Sequence, residues 1–237
     1  MIPLPRHGFA RIRADLFFPH PPSNSPTRRS AHRLRSKHHA AKPHITFRAS
    51  GTHHLKAAKP LSNQKGDQSM TKSEIIDLCG KTAREAQIRD DVCSRSLLLG
   101  LKAYFDWIPD ELIRASSSLC GGAGAASGSC GAYTCSLLAV GLKYNVPLAE
   151  ELADPAKFDV NQAKFMGWRD RFLQEFGTTL CPEIQKQVYG RSYYFTKPED
   201  CEVYFQITDH ATQCANIVEK AARLCAEYLL ADEDIPE

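Results

Sequence analysis

The stretch 210-HATQCANIVEKAARLCAEYLLA-231 decides the fold. Ala211, Cys214, Ala215, Val218, Ala221, Ala222, Cys225 and Leu229 recur at i, i+3 and i+4 without a break, the pattern of a helix with one face against a core. Working outward, residues 160–176 carry Phe165, Trp168, Phe172 and Phe176 on one stripe, and Gly177 follows where a C-cap glycine belongs. Residues 131–145 (GAYTCSLLAVGLKYN) are apolar nearly all round, which puts this helix at the centre of a bundle. Residues 91–105 align Cys93, Leu97, Leu101, Tyr104 and Phe105. Residues 71–87 align Ile75, Ile76, Cys79, Ala83 and Ala86 behind the capping box Thr71-Lys-Ser-Glu74. Pro109-Asp110-Glu111 suits a further helix start that fades at Ser116–Ser118, and Cys181-Pro182-Glu183 opens a short helical turn. Residues 188–207 carry the weakest pattern, and within them Val203-Tyr-Phe-Gln-Ile207 reads as a short extended piece or as helix. With no alternating strand pattern, the expected fold is all-α, a compact bundle of about five to six helices.

Charge divides the 237-residue chain in two. Residues 1–69 hold 13 Lys and Arg against Asp15 and Asp67, a net of +11; residues 70–237 hold 17 basic and 25 acidic residues, a net of −8. The first segment is rich in Pro, Ser, Arg and His and has no apolar period, so it is expected to be a disordered basic tail, or an upstream extension before a start at Met70. Its Arg and Ser content also suits an organelle transit peptide, but its Pro and His content and lack of an amphipathic face do not. Arg28–His39 would hold phosphate nonspecifically, but no stacking platform accompanies it, so no specific nucleic-acid partner is expected. Gly131–Leu142 is the longest near-apolar run, short of a membrane span of about 20 residues.

All nine cysteines lie between Cys79 and Cys225. An odd number in a domain large enough for its own core points to a reducing compartment such as the cytoplasm, with thiols used for packing, metal binding or redox chemistry. No pair is spaced C-x-x-C, so a zinc ribbon, a thioredoxin motif and c-type haem attachment are all excluded as local readings. Any site must be assembled from distant segments. Cys93, Cys130 and Cys181 each fall at an expected helix start, where unpaired N–H groups favour a thiolate. Cys79 and Cys225 read as core, and core packing is also the default for Cys120, Cys135 and Cys201. Spacing alone does not separate Cys214 from Cys225. The lone histidine of the domain, His210, reads as a solvated or capping residue beside Asp209.

Cys93-Ser94 at a helix start, the glycine loop 120–130 running into Cys130-Gly131-Ala132, the segment Gly141-Leu-Lys-Tyr144, Phe176-Gly-Thr-Thr-Leu-Cys181, and Cys214 in the last helix together resemble the C_GCAxxG_C_C family of redox-active proteins. The resemblance spans about 90–231. It implies that Cys93, Cys130, Cys181 and Cys214 are the characteristic cysteines, serving as redox-active residues or metal ligands. Two positions depart from the family pattern: Cys135 stands where a glycine is usual, and Cys120 replaces a loop glycine.

Four thiolates suit an iron–sulfur cluster, with N–H groups of Gly121, Gly122, Gly124 and Gly131 near the sulfurs, and they equally suit thiol–disulfide exchange with a partner redox protein. A structural four-cysteine zinc site is the alternative, and an accessory binding protein with an inert core is the third.

Overall fold

A computed structural model describes residues 70–236; the basic segment 1–69 lies outside the described residues. The described chain is all-α, as the periodicity requires, with nine α-helices and one 3-10 turn. They are α1 (Lys72–Asp90), α2 (Cys93–Lys102), α3 (Asp110–Ser116) followed by the turn Ser117–Leu119, α4 (Gly131–Tyr144), α5 (Leu148–Ala153), α6 (Ala156–Phe176), α7 (Cys181–Tyr189), α8 (Pro198–Gln206) and α9 (His210–Leu230). The count exceeds the expected five to six because α5 and α8 are short and carry weak stripes. In α8 the start signal was nonetheless present: Pro198 sits in the first turn with Glu199 and Asp200.

α9 is the axis of the bundle. Its stripe, from Ala215 to Leu230, packs against α1, α2 and α4. α1 and α2 approach closely at small residues: a Cβ built on Gly100 would lie 2.4 Å from the Ala83 Cβ and 2.6 Å from the Cys79 carbonyl oxygen. The expectation for α4 needs correction. It buries Ala132, Cys135, Ser136, Ala139 and Val140, but Leu138 faces outward, so α4 is a flank of the core and not its centre. α6 covers that flank with Trp168, Phe172 and Phe176, as its stripe predicts; buried Trp168 donates its indole N–H to Ser136 Oγ at 2.8 Å.

The ends of the bundle are fixed locally. Thr71 and Glu74 form the expected capping box, with the Glu74 carboxylate taking the Thr71 N–H at 2.8 Å. At the far end of α9, Lys143 binds the Leu229 carbonyl and Glu233 Oε1, the latter at 2.6 Å, and Tyr144 donates to Asp232 at 3.1 Å. The Gly141–Tyr144 segment thus clamps the carbonyl end of the last helix, where a cation is favoured. No helix among the described residues is long and apolar enough to cross a membrane.

Two predictions follow from the core. Ser136→Ala leaves the Trp168 N–H without an acceptor and lowers the unfolding free energy by about 1–3 kcal/mol in urea denaturation. Cys79 and Cys135 have no exposed surface, and burial pushes both thiols up to about 12 from an ordinary 9.0. The unfolded chain loses these protons first, so stability is unaffected by them below pH 9. It then falls between pH 9 and 12, by at most about 1.4 kcal/mol per pH unit per thiol. Denaturation series at pH 8 to 11 are expected to be steeper for the native sequence than for a C79A/C135A variant; equal slopes would contradict the assignment.

Candidate functional site

The three expected helix starts bear their cysteines. Cys93 is the first residue of α2, Cys130 is the N-cap of α4, and Cys181 is the first residue of α7. Cys214 lies in the second turn of α9.

Backbone bonding joins the segments. Ser129 and Leu180 form an isolated antiparallel bridge, in which the Cys130 N–H donates to the Thr179 carbonyl at 2.7 Å and the Cys181 N–H to the Gly128 carbonyl at 2.8 Å. Cys93 meets the same junction through Gly131. A Cβ on Gly131 would sit 2.6 Å from Cys93 Sγ and 3.0 Å from the Ser94 nitrogen, so only glycine lets the sulfur lie against the start of α4.

The loop before the bridge winds against the chain's chirality. Gly121, Gly122, Ala123, Gly124 and Ala125 have φ values of 62°, 81°, 64°, 63° and 56°. Such a conformation strains Ala123 and Ala125. The N–H groups of Ala123, Gly124, Ala125, Ser127 and Gly128 donate to the carbonyls of Leu119, Ser118, Cys120, Gly121 and Gly122. Gly124, one of the expected donors to sulfur, is therefore committed to the loop itself. Gly121 is on the site wall, Gly131 is beside Cys93, and Gly122 is pressed against Gly128.

These elements enclose a cavity of about 180 Å³ whose wall includes Cys93, Cys181 and Cys214. Cys130 is buried behind it, close enough that its charge would be felt at both Cys93 and Cys181. The four cysteines singled out by the resemblance thus lie in one neighbourhood, three on the cavity wall and Cys130 beside it. Cys79 and Cys225 stay in the core, as read from the sequence. Cys120 and Cys201 also line the cavity, Cys201 while buried as its default expects. The loop-glycine replacement was a signal for Cys120, whereas nothing in the spacing marked Cys201. Cys135 is buried behind the wall, near Cys130 and Cys120.

The expected thiolates do not survive burial. Desolvation pushes the Cys93 thiol far above its ordinary range, and like charge on Cys130, Cys181 and Cys214 would push it further. Burial carries Cys130 up to about 11, although the N–H groups of Ala132 and Tyr133 at the start of α4 oppose the rise. Cys181 and Cys214 also rise, for the same first reason. Three helix N-termini favour the anion, yet loss of water outweighs them.

Polar groups converge on Cys214. The hydroxyl of Tyr189 lies 3.4 Å and that of Tyr204 3.7 Å from its sulfur. His210 is not the solvated residue its position suggested. Its ring is mostly buried, with Nδ1 2.7 Å from the Ile207 carbonyl and Nε2 3.2 Å from Asp91 Oδ2 on the cavity wall. Asp91 is 119 residues away in sequence, which is why a linear reading missed the pair. Gln87 donates to the other Asp91 oxygen at 3.0 Å. Among the described residues, no three His, Cys, Asp or Glu side chains are grouped so as to hold a metal ion; the thiols ring a space.

Five cysteines thus line one cavity of an all-helical domain. Over residues 92–228 the chain matches the family model described as "Putative redox-active protein (C_GCAxxG_C_C)", and it belongs to that family. No curated protein and no solved structure matches it.

Gly131→Ala is expected to displace Cys93 or the start of α2 and to cost about 1–3 kcal/mol of stability. Gly141→Ala, whose added Cβ would meet the movable Asn145 side chain at 3.3 Å, should cost less than half as much. Paired thermal melts check this, and equal losses would remove the steric role assigned to Gly131.

Proposed function

We propose that this protein carries electrons on an iron–sulfur cluster held by Cys93, Cys130, Cys181 and Cys214. The observation that supports the reading is that Cys93, Cys181 and Cys214, from three separate helices, line one cavity, with Cys130 buried close enough for its charge to be felt at Cys93 and Cys181. The donor set fits: thiolates are the ligands of iron–sulfur clusters, and such a cluster, when bound, takes up and releases an electron. Buried thiols crowded together resist ionising jointly, so a cationic centre among them is the natural counterpart. The walls do the rest. Phe195, Tyr204 and Phe205 shield the sulfurs on one side, and the glycine loop closes another. A closed zinc site asks four sulfurs to meet about one point at about 2.3 Å, whereas these thiols surround a space, so the zinc alternative fits less well.

A second reading rests on Cys120 and Cys201, which give the same wall more thiols than one cluster takes. In it, two thiols form a disulfide and pass two electrons and two protons to a partner disulfide, which becomes two thiols. Either reading calls for a redox partner protein and suits a reducing compartment such as the cytoplasm. The chemistry belongs to the helical domain 70–237, with the basic segment outside it.

Anaerobic purification with iron and sulfide assay tests the proposal. Iron and sulfide in stoichiometric amounts are expected, and Cys→Ser at any of the four positions should abolish or alter the cluster's absorbance, while C225S keeps it. A colourless, iron-free protein after reconstitution sinks the cluster. A reversible disulfide in that protein then supports the second reading, and stoichiometric zinc without a redox titration supports a structural site.

A further inference from the structure

The Cys214 sulfur has company that Cys93 and Cys181 lack among the described residues: two phenolic hydroxyls, at 3.4 Å from Tyr189 and 3.7 Å from Tyr204. When this sulfur carries no proton, it can only accept: Tyr204 then donates to it, and the single Tyr189 proton is shared between the sulfur and the His210 carbonyl. We propose that Tyr189 and Tyr204 are positioning residues that set the reduction potential of the centre through Cys214. The proposal rests on the reading of the four cysteines as one redox site.

The phenols are held for this role. Tyr204 is buried, and its ring is gripped by Tyr189, Tyr193, Phe195, Phe205 and His210, at centroid distances of 4.9 to 5.6 Å. Tyr189 is fixed by a second acceptor, the His210 carbonyl, 2.7 Å from its hydroxyl. His210 is fixed in turn, because one ring nitrogen faces the Ile207 carbonyl and the other Asp91. Both of these partners present oxygen atoms to the ring. Asp91, at the left-handed cap of α1 with φ 51°, ties the first helix to the last across this network. The hydroxyls are thus preset by packing that does not involve the other thiols. A hydrogen bond donated to a ligand sulfur stabilises the more negative, reduced state, so it raises the potential. Removing it lowers the potential.

The test compares Tyr189→Phe, Tyr204→Phe and the double variant with wild type in a spectroelectrochemical titration of the reconstituted protein. Tyr193→Phe is the control, since its ring joins the same aromatic cluster and its hydroxyl makes no bond to Cys214. Phenylalanine keeps each ring, and thermal melts verify the fold. Tyr204→Phe should shift the oxidised-to-reduced equilibrium by about tenfold toward oxidised, a drop of about 59 mV for a one-electron couple, and Tyr189→Phe, whose proton is shared with the His210 carbonyl, should shift it the same way by less. The double variant should shift further, and Tyr193→Phe should stay at the wild-type value. Wild-type potentials in both folded single variants would overturn the proposal.

If wild type takes up no iron, the cluster reading fails, and the hydroxyls are then read out on the sulfur itself. Mass-mapped iodoacetamide alkylation of the folded, reduced protein compares Cys214 with Cys181. Loss of either hydroxyl should slow Cys214 about tenfold relative to Cys181; an unchanged ratio would overturn the proposal.

Discussion

Two backbone hydrogen bonds, Cys130 to Thr179 and Cys181 to Gly128, hold this site together. They join the end of the glycine loop to the start of α7, and they are the extended pairing in a chain whose described residues otherwise form helices and turns. Cys130 and Cys181 are brought side by side by main chain, not by side-chain packing. Helix packing then delivers Cys93 and Cys214 to the same junction, with Gly131 leaving room for the Cys93 sulfur. The four sulfurs are far apart in sequence, and this arrangement makes their meeting independent of any local motif.

The site is also a contest between two electrostatic effects. Helix N-termini at Cys93, Cys130 and Cys181 favour thiolates, and each contribution is small, about 0.3–1 kcal/mol at ordinary exposure. Burial of closely spaced sulfurs acts the other way and dominates at all four. With no cation among them, all four thiols are pushed above their ordinary range by burial. Cys214 is distinguished by the hydroxyls around it, which favour its anion while burial opposes it.

What the sequence revealed follows from how local each signal is. The stripes of α1, α2, α6 and α9, the Thr71–Glu74 box and the Gly177 cap depend on neighbours within a turn or two, and all were legible. α4 was misjudged because apolar composition does not say which face is covered; its small residues face the core while Leu138 does not. The helix-start positions of Cys93, Cys130 and Cys181 were legible, whereas Cys214 was singled out by resemblance alone. The Asp91–His210 pair and the Tyr189 and Tyr204 hydroxyls were not legible, because they join residues whose partners lie in other helices. Cys201 was invisible for the same reason: it reaches the cavity on α8, whose very conformation was open in the sequence.

The left-handed run from Gly121 to Ala125 has a consequence for how the protein matures. Glycine takes up that winding freely, but Ala123 and Ala125 are strained in it and must be held there by the folded bundle. The four thiols are scattered along the polypeptide and become neighbours only when these segments pack. A chain that has not completed its fold offers no preformed sulfur nest in which the wrong metal or a premature crosslink could lodge.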